Sequence, residues 1–412
     1  MLIKLNSLIW GKGLICLLIF TGIIYTVKLR FIQFRLFPYL FRKIRRSGSK
    51  SKQFRTFCIS LGTAMGTGNI TGVASAIRIG GAGAVFWMWF SAFTGMAVVY
   101  AENSLSAKYS RKNIRGPMAY IRYGTGTERI SVFFAVCCVL ASFGMGGMVQ
   151  VNEIAVNIRR CADINTIIMF FAVLTLIYLV ISGGVKRICD ISQFLLPVAA
   201  LVYMILCLCA IARSHSRISG TLHSIFAEAF GIKQAAGGVS GYCISQAVSA
   251  GIRRGVFSNE AGLGSSPILH SSSENYASSE VQGMCSMLEV FTDTFLCCTL
   301  TAMAVLCSGG DQSVYSSFWP VTGDKTGIIL AVLTAVFAFC TVIGWSYCGI
   351  TAFNYIFGDK GKIFTLLFAV VSACGALFRS GTVWTISDIF NGLMAFSNVF
   401  ALLYLVKDVK AE

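Results

Sequence analysis

Two short stretches carry the side chains best suited to chemistry. One is Gly66-Thr67-Gly68-Asn69-Ile70-Thr71-Gly72-Val73-Ala74-Ser75, and the other is Val256-Phe257-Ser258-Asn259-Glu260-Ala261-Gly262-Leu263-Gly264-Ser265. Both are rich in Gly and polar groups yet sit inside otherwise apolar runs. Aligned on Asn69 and Asn259, each has Gly three residues later and Ser six residues later. A Gly-rich run gives up helix easily, because Gly costs about 1 kcal/mol relative to Ala there. Inside hydrocarbon, the backbone groups so released must find partners. An unwound point exposes a helix N-terminus, which suits a carboxylate, and free carbonyls, which suit a cation. A zwitterionic amino acid moving with a cation offers both complements.

Small residues also let helices approach closely, and Gly72 and Gly264 fit that use equally well. It does not account for Asn69, Asn259 and Glu260, since a carboxylate at interior depth is costly and marks function. Gln150 ends a long apolar run and either donates to a substrate or bonds a neighbouring helix. Thr341 and Trp345 are four apart and share a helix face, giving a hydroxyl for a cation and a ring to line a pocket. Asp293 and Glu289 are also four apart, at a water-filled mouth or paired with Arg. Glu102 is expected to pair with Lys108 at the membrane interface, and Arg78 to snorkel.

Other chemistries lack their residues. The three histidines are His215 and His223 in a predicted outer loop and His270 at the end of a run, and neither HExxH nor GxSxG occurs. Most of the sixteen cysteines lie in apolar runs, as Cys137, Cys138, Cys297 and Cys298 do, where Cys behaves as a small hydrophobe. No CxxC pair has metal spacing. The chain is therefore read as neither an enzyme nor a holder of a resident cofactor.

Hydrophobic residues form 56% of the 412 positions and charged ones only 12%, about half the charge of a soluble domain. A net charge of +17 would suggest nucleic acid in a soluble protein, but here the basic residues fall in short loops between apolar runs. Nucleic acid is not an expected partner; the lipid bilayer is. A spanning helix needs roughly 20 apolar residues. Eleven runs fit, near 9–29, 56–79, 84–105, 130–156, 164–182, 191–212, 240–268, 284–307, 328–356, 362–379 and 384–406. The seventh is the most broken, by Arg253, Arg254 and many Gly and Ser.

Ten Lys/Arg and no acid lie between Lys28 and Arg55. The positive-inside rule makes that loop cytoplasmic, with the N-terminus outside and the C-terminus inside a multi-pass plasma-membrane protein. Asn69 and Asn259 are 190 residues apart, five runs on. An odd number of spans inverts the second copy. The expected architecture is all-α and a single membrane domain: a leading helix at 9–29, then two inverted five-helix repeats at about 56–212 and 240–406, each opening with a broken helix.

The same stretches resemble the alanine or glycine:cation symporter family, also called sodium:alanine symporters. Gly66-Thr67-Gly68-Asn69 with Gly72-Val73-Ala74, Phe86-Trp87-Met88-Trp89, Gly116-Pro117-Met118 and Gly183-Gly184-Val185-Lys186-Arg187 carry the resemblance. Gly255 to Gly262 and Asn391-Gly392-Leu393-Met394-Ala395 extend it, in shared order, from about Phe54 to the C-terminus. It implies the leucine-transporter type of fold and sodium-driven uptake of alanine or glycine. By that resemblance Thr67, Gly68 and Asn69 receive the substrate carboxylate, Gln150 and Trp345 line the pocket, and Thr341 with carbonyls near Gly66 holds sodium. Ser258 and Asn259 are further substrate candidates, and Glu260 is a coupling or gating candidate. One departure stands out: the family's Tyr-Gly-Glu becomes Cys348-Gly349-Ile350, which removes an ion pair, alters coupling or marks another substrate. The expected function is sodium-coupled symport by alternating access; the alternatives are an amino-acid sensor on a transporter fold and a carrier coupled to another cation.

Overall fold

The computed structural model describes residues 1–39, 61–111, 114–231, 240–271, 279–309 and 312–410, with the side chains of 184–193 and 240 outside that description. Among the described residues, each of the eleven apolar runs contains helix. Among the described residues, seven helical stretches are long and apolar enough to cross a membrane: Leu2–Lys28, Gly83–Tyr109, Glu128–Arg159, Phe194–Arg213, Ser279–Ser308, Val314–Phe357 and Ser380–Tyr404. Thr166–Ile181 and Gly361–Cys374 are apolar but shorter. The other two runs are the broken ones. The first is helical over 61–64 and again over Thr71–Gly80; the second runs Ser240–Asn259 and then Ser265–His270. The basic stretch at 40–55 lies outside the described residues.

The polarity of the molecule is that of a protein dissolved in lipid. Phe194, Val198, Leu201, Ile205 and Leu208 stand exposed along one helix, while Asn69, Glu102, Gln150, Asp293 and Asn398 are buried. Backbone satisfaction within each helix is what permits this inversion.

Two packed groups position the breaks. Gly83–Tyr109 packs on Ser240–Asn259 and Ser279–Val290, and Thr71–Gly80 also packs on Ser240–Asn259. Thr326–Phe357 packs on Glu128–Ala141 and Val149–Arg159, and Thr166–Ile181 on Gly361–Cys374. The leading Lys12–Lys28 helix lies against Gly83–Tyr109 and Ser380–Tyr404. Trp10 Nε1 donates to the Asp388 carbonyl at 2.6 Å and Tyr25 Oη to the Leu402 carbonyl at 2.7 Å. At Gly22 an added Cβ would meet Thr94 Cβ at 2.6 Å, so only Gly allows that approach.

Two expectations change. The outer loop predicted around His223 is an amphipathic helix, Ile218–Ala229, whose Glu228 Oε2 accepts the Ala82 N–H at 2.8 Å and caps the turn after the first broken helix. Glu102 is not an interfacial partner of Lys108. It is fully buried and accepts from Asn398 Nδ2 at 2.6 Å, while Lys108 pairs with Asp408 at 2.6 Å. The hydrogen bond from Lys108 holds the Asp408 carboxyl below the usual range. Spacing alone placed Lys108 within reach of Glu102, and the chain after the last helix supplied the nearer acid.

Candidate functional site: two helix breaks and the buried carboxylate between them

The first break is tight. Gly66 has φ −119° and ψ −151°, Thr67–Asn69 form one 3-10 turn, and Thr71–Gly80 resumes the helix. The Thr67 N–H and Oγ1 both donate to Gln150 Oε1, at 3.2 and 3.0 Å, and Gln150 Nε2 donates to the Met145 carbonyl at 3.0 Å. Gln150 thus takes up a backbone donor released by the break, as a polar side chain in hydrocarbon must. Thr341 Oγ1 donates to the Gly62 carbonyl at 3.2 Å, and a Cβ at Gly66 would meet that oxygen at 2.5 Å. Only Gly fits between Thr341 and Gln150.

At the second break the chain turns through left-handed positions. Glu260 has φ +57°, Gly262 +86° and Gly264 +84°. For Glu this geometry costs roughly 1–2 kcal/mol, and its side chain is held from both sides. Trp345 Nε1 donates to Oε1 at 2.7 Å, and Ser265 Oγ donates to Oε2. Asn259 Oδ1 accepts the Ala261 N–H at 3.1 Å, and Asn398 Nδ2 donates to the Gly262 carbonyl at 2.9 Å. Gly264 also packs closely, since a Cβ there would meet Pro117 Cγ at 2.7 Å, whereas one at Gly72 meets nothing nearer than 3.9 Å. The close-packing use of Gly therefore holds for Gly264 and not for Gly72.

Asp293 joins the two breaks. Its carboxylate is fully buried and accepts from Asn69 Nδ2 at 2.6 Å, from Ser258 Oγ at 2.9 and 3.1 Å, and from Thr294 Oγ1 at 2.9 Å. Asn259 Nδ2 continues the chain to Thr294 Oγ1 at 3.3 Å. All these donors are neutral, and Asn69 Oδ1 is buried without a partner among the described residues. The arrangement is an anionic, oxygen-rich centre suited to an ammonium group or a small cation.

Both breaks face a π-helical turn, a form frequent at functional sites. Ser142–Met148 supplies the Met145 carbonyl and Gly146, where no Cβ fits against Trp345. Phe291–Cys298 supplies Asp293, Thr294 and Cys298. Of the residues singled out by sequence, Asn69, Ser258 and Asn259 share the Asp293 network, Thr67 and Gln150 bond each other at the first break, and Gly68 abuts Ser258 with a would-be Cβ 3.2 Å from its Cα. Thr341 and Gly66 meet beside the first break, while Trp345 and Glu260 meet beside the second. Asp293 is the residue whose role the sequence left open. Ile350 packs with the apolar cluster of Ile343, Phe353 and Phe364.

Two guanidiniums close one side. Arg253 and Arg254, just before the second break, both bond Asp388 of Ser380–Tyr404, the latter at 3.2 Å. Arg254 lies 4.4 Å over the Trp384 ring, whose Nε1 donates to Glu153 Oε1 at 3.0 Å.

The family model described as the sodium:alanine symporter family matches residues 1–412. The sodium/alanine symporter AgcS of Methanococcus maripaludis is 34% identical over 435 residues, covering 99% of this chain and 94% of that protein. The probable sodium/glutamine symporter GlnT of Bacillus subtilis is 35% identical, covering 98% and 87%. A substrate-bound, outward-open Na+-coupled sialic acid symporter shares the fold at TM-score 0.59 and 12% identity, covering 98% of each chain.

Proposed function

This chain belongs to the sodium:alanine symporter family, and we propose that it carries alanine or glycine across the plasma membrane together with sodium, by alternating access. The observation that carries this reading is the meeting of both helix breaks on one buried carboxylate, Asp293, through Asn69 and Ser258. A transported zwitterion needs groups for both of its charges in one place. In our assignment Thr67, Gly68 and Asn69 receive the substrate carboxylate, while Gln150, Ser258, Asn259 and Trp345 shape the pocket. Sodium takes Thr341 Oγ1 and carbonyls near Gly66. Glu260, tied to Trp345, passes occupancy to the second broken helix.

Alternating access needs two halves that can move against each other. We read residues 56–212 and 240–406 as inverted repeats of five helices behind one leading helix, all within one membrane domain. Packing supports this: exchanging the halves maps the pair Thr166–Ile181 with Gly361–Cys374 onto itself. It also maps Gly184–Arg213 on Thr326–Phe357 onto Ser380–Tyr404 on Glu128–Ala141, and both pairs pack. The charge of the 28–55 loop supports an external N-terminus and a cytoplasmic C-terminus.

Uptake of labelled alanine and glycine into liposomes bearing the purified protein tests the reading. An inward sodium gradient should drive accumulation, and a potassium gradient should not. Sodium-dependent binding without uptake would identify a sensor instead. The absence of both would end the proposal.

A further inference from the structure

One side chain at the centre between the breaks carries no role in the transport reading. Cys298 closes the π-helical turn Phe291–Cys298 and is 2% exposed. Its Sγ lies 3.3 Å from Ser258 Oγ and 3.4 Å from Asn69 Nδ2, the same two groups that bond Asp293. Asp293, Ser258 and Asn69 are themselves fully buried. Asn69 Oδ1, on the amide that points into this cluster, is buried without a partner among the described residues. A thiol, a carboxylate, a hydroxyl and an amide converge here.

We propose that these four side chains form a binding site for a thiophilic divalent cation of the zinc and cadmium class, and that such an ion blocks the carrier by taking the place of the amino acid. The inference rests on the proposed function for its route in: every donor is buried, so the ion enters as the amino acid would, when the two halves move apart. On binding, the Cys298 S–H bond breaks, a sulfur–metal bond forms, and the proton passes to water that entered with the ion. Thiolate and carboxylate then set two negative charges against the two positive charges of the ion. Asp293, bonded only by neutral donors, gains the compensation that a buried charge requires. Ser258 Oγ supplies a third donor. Turning the Asn69 amide over brings its unpartnered Oδ1 in as the fourth.

The spacing fits a tetrahedral ion. Zinc bonds sulfur at about 2.3 Å and oxygen at about 2.0–2.2 Å, which sets neighbouring donors roughly 3.3–3.7 Å apart. Ser258 Oγ and Cys298 Sγ already stand 3.3 Å apart, and Ser258 Oγ and Asp293 Oδ2 stand 2.9 Å apart. The centre therefore widens by less than about 1 Å to hold the ion. The thiol sets the preference: carboxylate and carbonyl oxygens suit hard cations, whereas thiolate favours softer ones. Among the described residues no three His, Cys, Asp or Glu gather at one place, so this is not a closed structural centre. Two ionised donors beside two neutral ones make a site that fills and empties.

Equilibrium dialysis of the purified full-length protein in detergent against radiolabelled cadmium, without sodium or amino acid, tests this apart from transport. Cys298→Ser and Asp293→Asn should each weaken one class of bound cadmium at least about tenfold, since even the loss of a partner to a metal ligand costs that much. Cys297→Ser, one residue away, should bind as the wild type does, which separates this site from the other cysteines of the chain. Alanine with sodium should then displace the cadmium held at Cys298. Wild-type binding in Cys298→Ser or in Asp293→Asn would overturn the site, and so would an equal loss in Cys297→Ser. Cadmium that binds as expected but resists alanine would uphold the metal site and put the failure in the assignment of Asp293 to the amino acid.

Discussion

The two breaks depend on contacts of single atoms, and substitutions there have opposite expected outcomes. Gly66→Ala puts a methyl 2.5 Å from Thr341 Oγ1 and 3.2 Å from Gln150 Oε1, so sodium-dependent uptake should fall at least about tenfold, the fold-change of a 1.4 kcal/mol loss. Gly72→Ala meets nothing nearer than 3.9 Å and should keep uptake within about twofold, since open helix positions tolerate Ala. Equal loss in both would show that the break's geometry is not what matters. Asp293→Asn keeps the size and one acceptor but removes the charge; alanine affinity should weaken by roughly ten- to a hundredfold, as expected for hydrogen bonds to a charged group. Isothermal titration reads this directly, and unchanged affinity would exclude Asp293 from the site. Asn69 and Asn259 were legible because their residue type is out of place in an apolar run. Asp293 was not: on an ideal helix its facing was ambiguous beside Glu289, and the π turn that aims it at Asn69 has no sequence mark. Glu102 misled for a related reason, because its partner Asn398 lies 296 residues away.

At the scale of elements, hydrophobic run length and Gly content located the apolar helices and the two breaks. Each of the eleven runs contains helix among the described residues, seven of the stretches being long and apolar enough to span, and the two breaks fall at 65–70 and 260–264 where Gly clusters. What could not be read was how helices are latched together. Arg253 and Arg254 looked like an interruption of the seventh run, yet both are drawn inward to Asp388. That junction ties Ser240–Asn259 to Ser380–Tyr404, and the Trp10 donor brings the leading helix to the same residue. Asp388→Ala removes the acceptor of two guanidiniums, the Arg254 side chain being only 7% exposed. It should cost about 3–5 kcal/mol, as for a broken buried ion pair, and lower the thermal midpoint in detergent by several degrees. Arg253→Lys, with its side chain 21% exposed, should cost less than about 1 kcal/mol. Equal losses in the two variants would argue against a shared latch at Asp388.

The whole molecule is a lipid-facing shell around a buried polar seam, in which Gln150 holds the first break and Asp293 joins both breaks. Membrane character followed from composition alone, because no other solvent accommodates so many outward apolar side chains. The helix Ile218–Ala229 escaped because its run is too short and too polar to register as a span, though it closes over the end of the first broken helix. If the seam is one coupled site, sodium and amino acid must strengthen each other by the same factor, since binding linkage is reciprocal. Equilibrium binding of labelled alanine to the purified protein across a sodium titration, with sodium affinity measured with and without alanine, tests this most directly. We expect each ligand to tighten the other equally and Thr341→Ala to abolish the coupling while alanine still binds weakly. Alanine affinity that does not change with sodium would contradict the account.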